Sequence, residues 1–231
     1  MFFNRSSDKE LMDDLNCSGE VLNRTLTEIE NINHWLGGDA ITINGLNQII
    51  NNTAVPNPLS IADLGCGSGG MFKVINNWAK KHQIKVNLTG IDANPNVIKF
   101  ARDNHKDLNI NFLALNILSE NFKTHNYDII LCTLLLHHFL SEEIVALIKQ
   151  LKDQARIAVI VNDLHRHPIA YYSIKWLTGL FSRSEMVKFD APLSVKRGFT
   201  KKELIEILNK AGIQNYSLVW KYAFRWQLII R

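Results

Sequence analysis

The chain has 231 residues, 46% of them hydrophobic and 21% charged, with a formal net charge of +4. That length suits one α/β domain with additions, and that apolar share can bury a sizeable core. The 26 Lys and Arg are scattered with no run of five, so nucleic acid is not the expected partner.

Residues 1–55 precede the first core strand and are expected to form a helical cap. Ser6 or Ser7 can start a short helix over residues 8–15. A second helix is predicted over 18–36, where Val21, Leu22, Leu26, Ile29, Ile32 and Trp35 recur at three- and four-residue steps. Gly37-Gly38 stops it, a third helix covers 39–50, and residues 51–58 form a turn-rich linker.

Strands and helices then alternate. Strands are predicted at 60–64, 85–91, 109–115, 128–132 and 156–162, with helices at 70–82, 95–105 and 141–152 between them. Pro95 suits a first helical turn, and Ser141 followed by Glu142-Glu143 reads as a helix cap. Alternation of this kind gives a mostly parallel sheet covered on both faces. Residues 165–200 read as an insertion: an apolar helix carrying Tyr171, Tyr172, Trp176 and Phe181, then a loop over 182–198. Thr200 to Glu203 fits a capping box, Gly212 ends that helix, and residues 216–220 and 224–230 can pair as closing strands. The domain reading is therefore a cap over 1–55 and an α/β domain over 56–231 with a lid over 165–200.

Cys17, Cys66 and Cys132 are widely separated and lack C-x-x-C spacing. They give neither a disulfide framework nor a zinc site, and no metal is expected. This fits a reducing cytoplasm. No signal-peptide apolar region follows Met1, and no apolar run is long enough for a membrane span.

The most informative stretch is Ile61-Ala62-Asp63-Leu64-Gly65-Cys66-Gly67-Ser68-Gly69-Gly70. An apolar strand ends in an acid, and a Gly-rich turn opens a helix. The glycines also fit G-x-G-x-x-G, a dinucleotide pattern that is weak alone. Asp63 changes the reading, because a carboxylate opposes a pyrophosphate and favours a cationic ligand such as an ammonium or a sulfonium. Asp92 ends the second strand 22 residues after Gly70, where a βαβ unit places a carboxylate on ribose hydroxyls. The third strand ends at Asn116. The fourth, Tyr127-Asp128-Ile129-Ile130-Leu131-Cys132, runs into Thr133-Leu134-Leu135-Leu136-His137-His138-Phe139.

In order, these motifs resemble the class I S-adenosylmethionine-dependent methyltransferases: D-h-G-x-G-x-G, an acid closing strand two, and an F/Y-D-h-h strand followed by L-H-H. The resemblance covers residues 55–165 well and the C-terminal hairpin by pattern. It implies a Rossmann-like, doubly wound, seven-stranded sheet with an antiparallel C-terminal strand. It also implies S-adenosylmethionine as cofactor and S-adenosylhomocysteine as product. Asp63 and the turn carbonyls would serve the ammonium. Gly65, Cys66, Gly67 and Gly69 would form the close-approach turn, and free N–H groups at the following helix would hold the methionine carboxylate. Asp92 would take the ribose, Ala93 and Ile117 would flank the adenine, and Asn116 would face its amino group in place of the family's usual acid. Cys132 and Thr133 would close the cofactor edge.

A sulfonium methyl is already activated, so alignment does much of the work and a base is needed only for a weakly acidic acceptor. His138 is the preferred base, with His137 and His165 as alternatives, because His titrates near neutral pH. Asp163 lies near the same edge. Early Glu10-Leu11-Met12-Asp13-Asp14 and Val161-Asn162-Asp163-Leu164 look similar to bacterial methyltransferases linked to polyketide or quinone-like phenols, hence to secondary metabolism. Trp35, Tyr171, Tyr172, Trp176 and Phe181 can wall an apolar pocket or simply pack the lid. The expectation is O-methylation of a small apolar or phenolic molecule. The alternatives are a protein or RNA methyltransferase and a non-catalytic cofactor-binding module. A nicotinamide oxidoreductase is disfavoured by Asp63. The acceptor and oligomeric state are not specified by sequence.

Overall fold

The computed structural model describes residues 2–231. Two helices, α1 (Gly19–Trp35) and α2 (Gly38–Ile50), precede the sheet. The alternating core follows: β1 (Leu59–Leu64), α3 (Gly70–His82), β2 (Val86–Asp92), α4 (Pro95–Asn104), β3 (Ile110–Ala114), β4 (Tyr127–Thr133), α5 (Ser141–Gln154) and β5 (Ala155–Leu164). Helices α6 (Pro168–Phe181), α7 (Glu185–Arg197) and α8 (Lys201–Lys210) come next. The hairpin β6 (Tyr216–Lys221) and β7 (Arg225–Ile230) closes the chain.

The seven strands lie in the order β3-β2-β1-β4-β5-β7-β6. Six run parallel, and β7 is antiparallel to both neighbours. This is the Rossmann-like sheet that the alternating pattern dictates. Ile61, Ile129, Ile130, Leu131, Val159 and Ile160 are buried, as central strands covered on both faces must be. One apolar layer joins β4, β5 and β7 to α5 and α8. The other joins the sheet to α2 and α3 through Leu46, Ile49, Phe72 and Ile75. The order reverses between β1 and β4, so ligands belong above the carboxyl ends of those strands.

Four local expectations need correction. Residues 8–15 contain only a 3-10 turn, Leu11–Asp13. Ser141 is the first helical residue of α5 rather than its cap, and Glu143 instead accepts from the Leu140 N–H at 2.8 Å. Residues 182–198 are not a loop, because most of them form α7. That helix hides Asp190 and Arg197 beside Val187, Leu193 and Val195 and carries Pro192 inside, so its sequence shows no clean apolar stripe. Trp35, Tyr172, Trp176 and Phe181 are 60–75% exposed, and none of them lines the large cavity over the sheet. Helix α6 turns Ala170, Ser173, Ile174 and Leu177 inward and its large aromatics outward, leaving only Tyr171 of that set buried.

No helix among the described residues is long and apolar enough to cross a membrane.

Candidate active site

A large cavity of about 1550 Å³ lies over the carboxyl ends of the central strands. Its first half is built by residues close together in sequence. Strand β1 delivers Asp63 to the rim, where it is 3% exposed and its Oδ1 has no hydrogen-bond partner. Burial, and then the neighbouring charge of Asp92, push its pKa up to about 7. An unpartnered buried carboxylate is costly unless a ligand satisfies it, and a cation does so best.

The turn after β1 is left-handed at Gly65, with φ +64°. That backbone conformation favours glycine, and a Cβ there would also press on the Leu135 side chain, 2.7 Å from its Cδ1. Gly67, also left-handed, presents its N–H to Asp92 Oδ2 at 3.4 Å, and Asn94 N–H donates to Asp92 Oδ1 at 3.0 Å. These bonds fix the Asp92 carboxylate and leave lone pairs for two hydroxyl donors. Ala93, Asn116 and Ile117 line the cavity beside it. Asn116 Oδ1 already accepts from the Leu118 N–H at 2.9 Å, which sets the amide's orientation.

Three expected cofactor contacts are placed differently. Gly69 packs toward His105 and Phe112, and Cys132 is fully buried; neither lines the cavity, whereas Cys66 and Thr133 do. The start of α3 is also not free for a ligand carboxylate. Glu30 from α1 accepts from Ser68 Oγ, and a Cβ on Gly70 would lie 2.3 Å from its carboxylate. The chain's own acid sits at that positive helix end.

The second half is assembled from distant segments. Strand β4 ends in a turn where Leu134 adopts φ +54°, with its N–H held by the Asn162 carbonyl at 2.8 Å. A left-handed leucine costs about 1–2 kcal/mol, and this one lies beside the cavity. The turn leads into a 3-10 segment, Leu136–His138, that presents both histidines. His137 Nδ1 lies 2.7 Å from Asp163 Oδ1, and His138 Nδ1 lies 2.6 Å from Asp13 Oδ1. Burial pushes the Asp13 carboxyl up, but hydrogen bonds from His138 and Arg197 outweigh it and hold the group well below the usual carboxylate range. Burial likewise opposes ionisation of Asp163, and the charge and hydrogen bond of His137 overcome it. Each carboxylate thus fixes its histidine ring through Nδ1.

Both Nε2 atoms face Glu10, at 3.7 Å for His137 and 4.0 Å for His138. Glu10 is 6% exposed, and burial raises its pKa to about 7 despite nearby His138 and Arg197. Arg197 from α7 ties the cluster together. Its Nε and Nη2 donate to the carbonyls of His137 and His138 at 3.0 and 2.6 Å, and its Nη1 meets Asp13 Oδ2 at 2.6 Å. Ligand atoms of Glu10, His137 and His138 lie within 4.8 Å of one another, the one such cluster among the described residues. The Arg197 guanidinium, 3.7 Å from Glu10 Oε1, already brings positive charge there.

His165 is outside this group. It accepts at Nδ1 from the Trp220 indole at 3.2 Å, meets the Trp226 ring edge-on, and does not line the cavity. The backbone bridge from His165 to Phe199 draws it away from the strand end. Sequence reasoning did not assign roles to Glu10, Asp13, Asp190 and Arg197. The one available signal was the acidic pattern at residues 10–14.

Residues 61–167 match the model of a methyltransferase domain family. This segment is a methyltransferase domain. The methyltransferase fold extends over most of the chain. The structure is similar to the plantazolicin methyltransferase BpumL in complex with S-adenosylhomocysteine, at 19% identity and a TM-score of 0.65, covering 90% of this chain and 89% of that one. Magnesium protoporphyrin IX methyltransferase from Synechocystis PCC 6803 aligns at 18% identity and a TM-score of 0.54, covering 84% of each chain. Human N-acetylserotonin methyltransferase aligns at 15% identity and a TM-score of 0.60, covering 91% of this chain and 55% of that one. No curated protein sequence matches the chain significantly.

Proposed function

We propose that this methyltransferase transfers the methyl group to an oxygen of a small, apolar, phenol-like acceptor. The supporting observation is that one cavity joins the Asp63–Asp92 rim to the Asp13-oriented His138. In this reading Asp63 pairs with the cofactor's ammonium, Asp92 takes its ribose hydroxyls, and Ala93 and Ile117 flank the adenine. Asn116 Oδ1 keeps one lone pair for the adenine amine.

S-adenosylmethionine held there would supply an already activated methyl group, with its sulfur as leaving group, and His138 Nε2 would take the proton of the acceptor hydroxyl. Asp13 holds that imidazole in the tautomer with Nε2 free and stabilises the imidazolium that results. His137 is fully buried and serves chiefly as a wall, fixed by Asp163. The segment before α1, together with α6 and α7, acts as a lid. Asp190 Oδ1 accepts from the Leu11 N–H at 2.8 Å and Oδ2 from the Met12 N–H at 3.1 Å, which closes the lid over Glu10. A concave, largely apolar cavity suits a small acceptor better than a polymer.

Labelled S-adenosylmethionine should pass its methyl group to members of a panel of phenols and quinols. Transfer confined to protein or RNA, or cofactor binding with no transfer at all, would overturn the reading.

A further inference from the structure

Arg225 opens β7 and is 2% exposed, yet it lines the cavity. Its Nε and Nη1 are buried with no hydrogen-bond partner. Asp163 and Asp39 act on it only through space, because both are engaged elsewhere. Asp163 serves His137 and the Leu164 N–H, and Asp39 serves Asn33 and His34. The other buried arginines differ. Arg166 binds Glu203 and the carbonyls of Phe2, Phe3 and Gly198, and Arg197 binds Asp13 and two carbonyls. A guanidinium remains a cation at neutral pH, so leaving one buried and unpaired is costly unless a ligand completes it.

Its placement is specific. Ala223 and Phe224 just before it are both left-handed, with φ +58° and +55° and no glycine at either position. This tight hairpin sets Arg225 across from Leu164 of β5. Leu164, Ile174, Leu177 and Phe224 make the nearby wall apolar. Strand β7 is two places beyond β4, so at 4.7–4.9 Å per strand Arg225 lies roughly 10 Å across the sheet from the β4 end.

We propose that Arg225 is an anchoring site for a carboxylate on the methyl acceptor. The carboxylate pairs with the planar guanidinium fork, and the apolar body lies across β5 toward the reacting oxygen near His138. The anchored carboxylate takes no part in the transfer. This rests on the methyltransferase reading of the cavity and narrows its substrate class to hydroxylated apolar acids.

Matched probes test it directly: p-hydroxycinnamate and p-hydroxyphenylbutyrate against their amides, titrated into protein saturated with S-adenosylhomocysteine. Wild type should bind the acids saturably and the amides about thirtyfold more weakly, or worse. Arg225→Met should bind acid and amide alike, keep its affinity for S-adenosylhomocysteine, and melt no lower than wild type, because it removes an unpaired buried charge. Equal binding of acid and amide by wild type, or binding of neither, would overturn the anchor while leaving the cofactor assignment intact. An Arg225→Met protein that melts well below wild type would make the arginine structural. Wild type that fails to bind S-adenosylhomocysteine would instead strike the methyltransferase reading itself.

Discussion

The two halves of the cavity are built in opposite ways. The cofactor half takes Asp63, the glycine turn and Asp92 from one βαβ unit, so its geometry follows from local chain rules. The acceptor half gathers Glu10 and Asp13 from before α1, His137 and His138 after β4, Arg197 from α7 and Arg225 from β7. Its contacts span up to 184 positions, as between Asp13 and Arg197. Ligand recognition by backbone and strand-end acids can be encoded within some thirty residues. A pocket for a particular acceptor needs side chains that only the tertiary fold brings together.

The largest effect that can break this division is on turnover. His138→Ala should lower methyl transfer by about 10²–10⁴-fold, and Asp13→Asn should follow in the same direction because it removes the ionised orienter. A phenol already ionised at neutral pH should lose far less in steady-state assays. Equal losses for weakly and strongly acidic acceptors would mean that His138 positions the acceptor rather than deprotonating it.

Next comes the cofactor half. Asp92→Ala removes a charged acceptor whose hydrogen bonds contribute about 1.5–3 kcal/mol each, so calorimetry should show S-adenosylhomocysteine affinity falling roughly tenfold or more. An unchanged dissociation constant in folded protein would remove Asp92 from ribose binding.

A smaller effect appears in the pH dependence of stability. Asp63 and Glu10 have folded pKa values near 7, above their ordinary carboxylate values, so the folded state binds their protons more tightly than the unfolded state. The stability gained from those protons is complete below the ordinary carboxylate range and is lost as pH rises through about 7. Ligand-free protein should therefore melt lower at about pH 8 than at about pH 5.5, by on the order of 1–2 kcal/mol. Asp63→Asn should flatten that slope, and S-adenosylhomocysteine should flatten it too by pairing its ammonium with Asp63. A slope untouched by both would place the titration elsewhere.

The smallest effect sharpens the boundary of the site. Trp176 is 69% exposed on the outer face of α6, so Trp176→Ala should change stability by no more than about 0.5 kcal/mol and leave turnover unchanged. A large loss of activity in a transfer assay would bring that face into the acceptor site.

The alternating elements and the Asp63–Asp92 spacing were legible in the sequence because each rests on periodicity or turn chemistry within a short window. Helix α7 was not, since it buries Asp190 and Arg197 where an amphipathic pattern would show apolar residues. The inward face of α6 was also hidden, because both of its faces carry apolar side chains and only packing separates Ile174 and Leu177 from Tyr172 and Trp176. His165 looked equivalent to His137 and His138 as a strand-end histidine. The bridge to Phe199 decides otherwise, and that contact is long-range. Arg225 carried no signal because an arginine at a strand start is ordinary until its burial and lack of a partner are seen.

The most direct test of two separable halves is a calorimetric titration of S-adenosylhomocysteine into wild type, Asp92→Ala and His138→Ala. The account predicts a single saturable site in wild type, roughly tenfold or greater weakening in Asp92→Ala, and wild-type affinity in His138→Ala. Weakening in His138→Ala as large as in Asp92→Ala would contradict it.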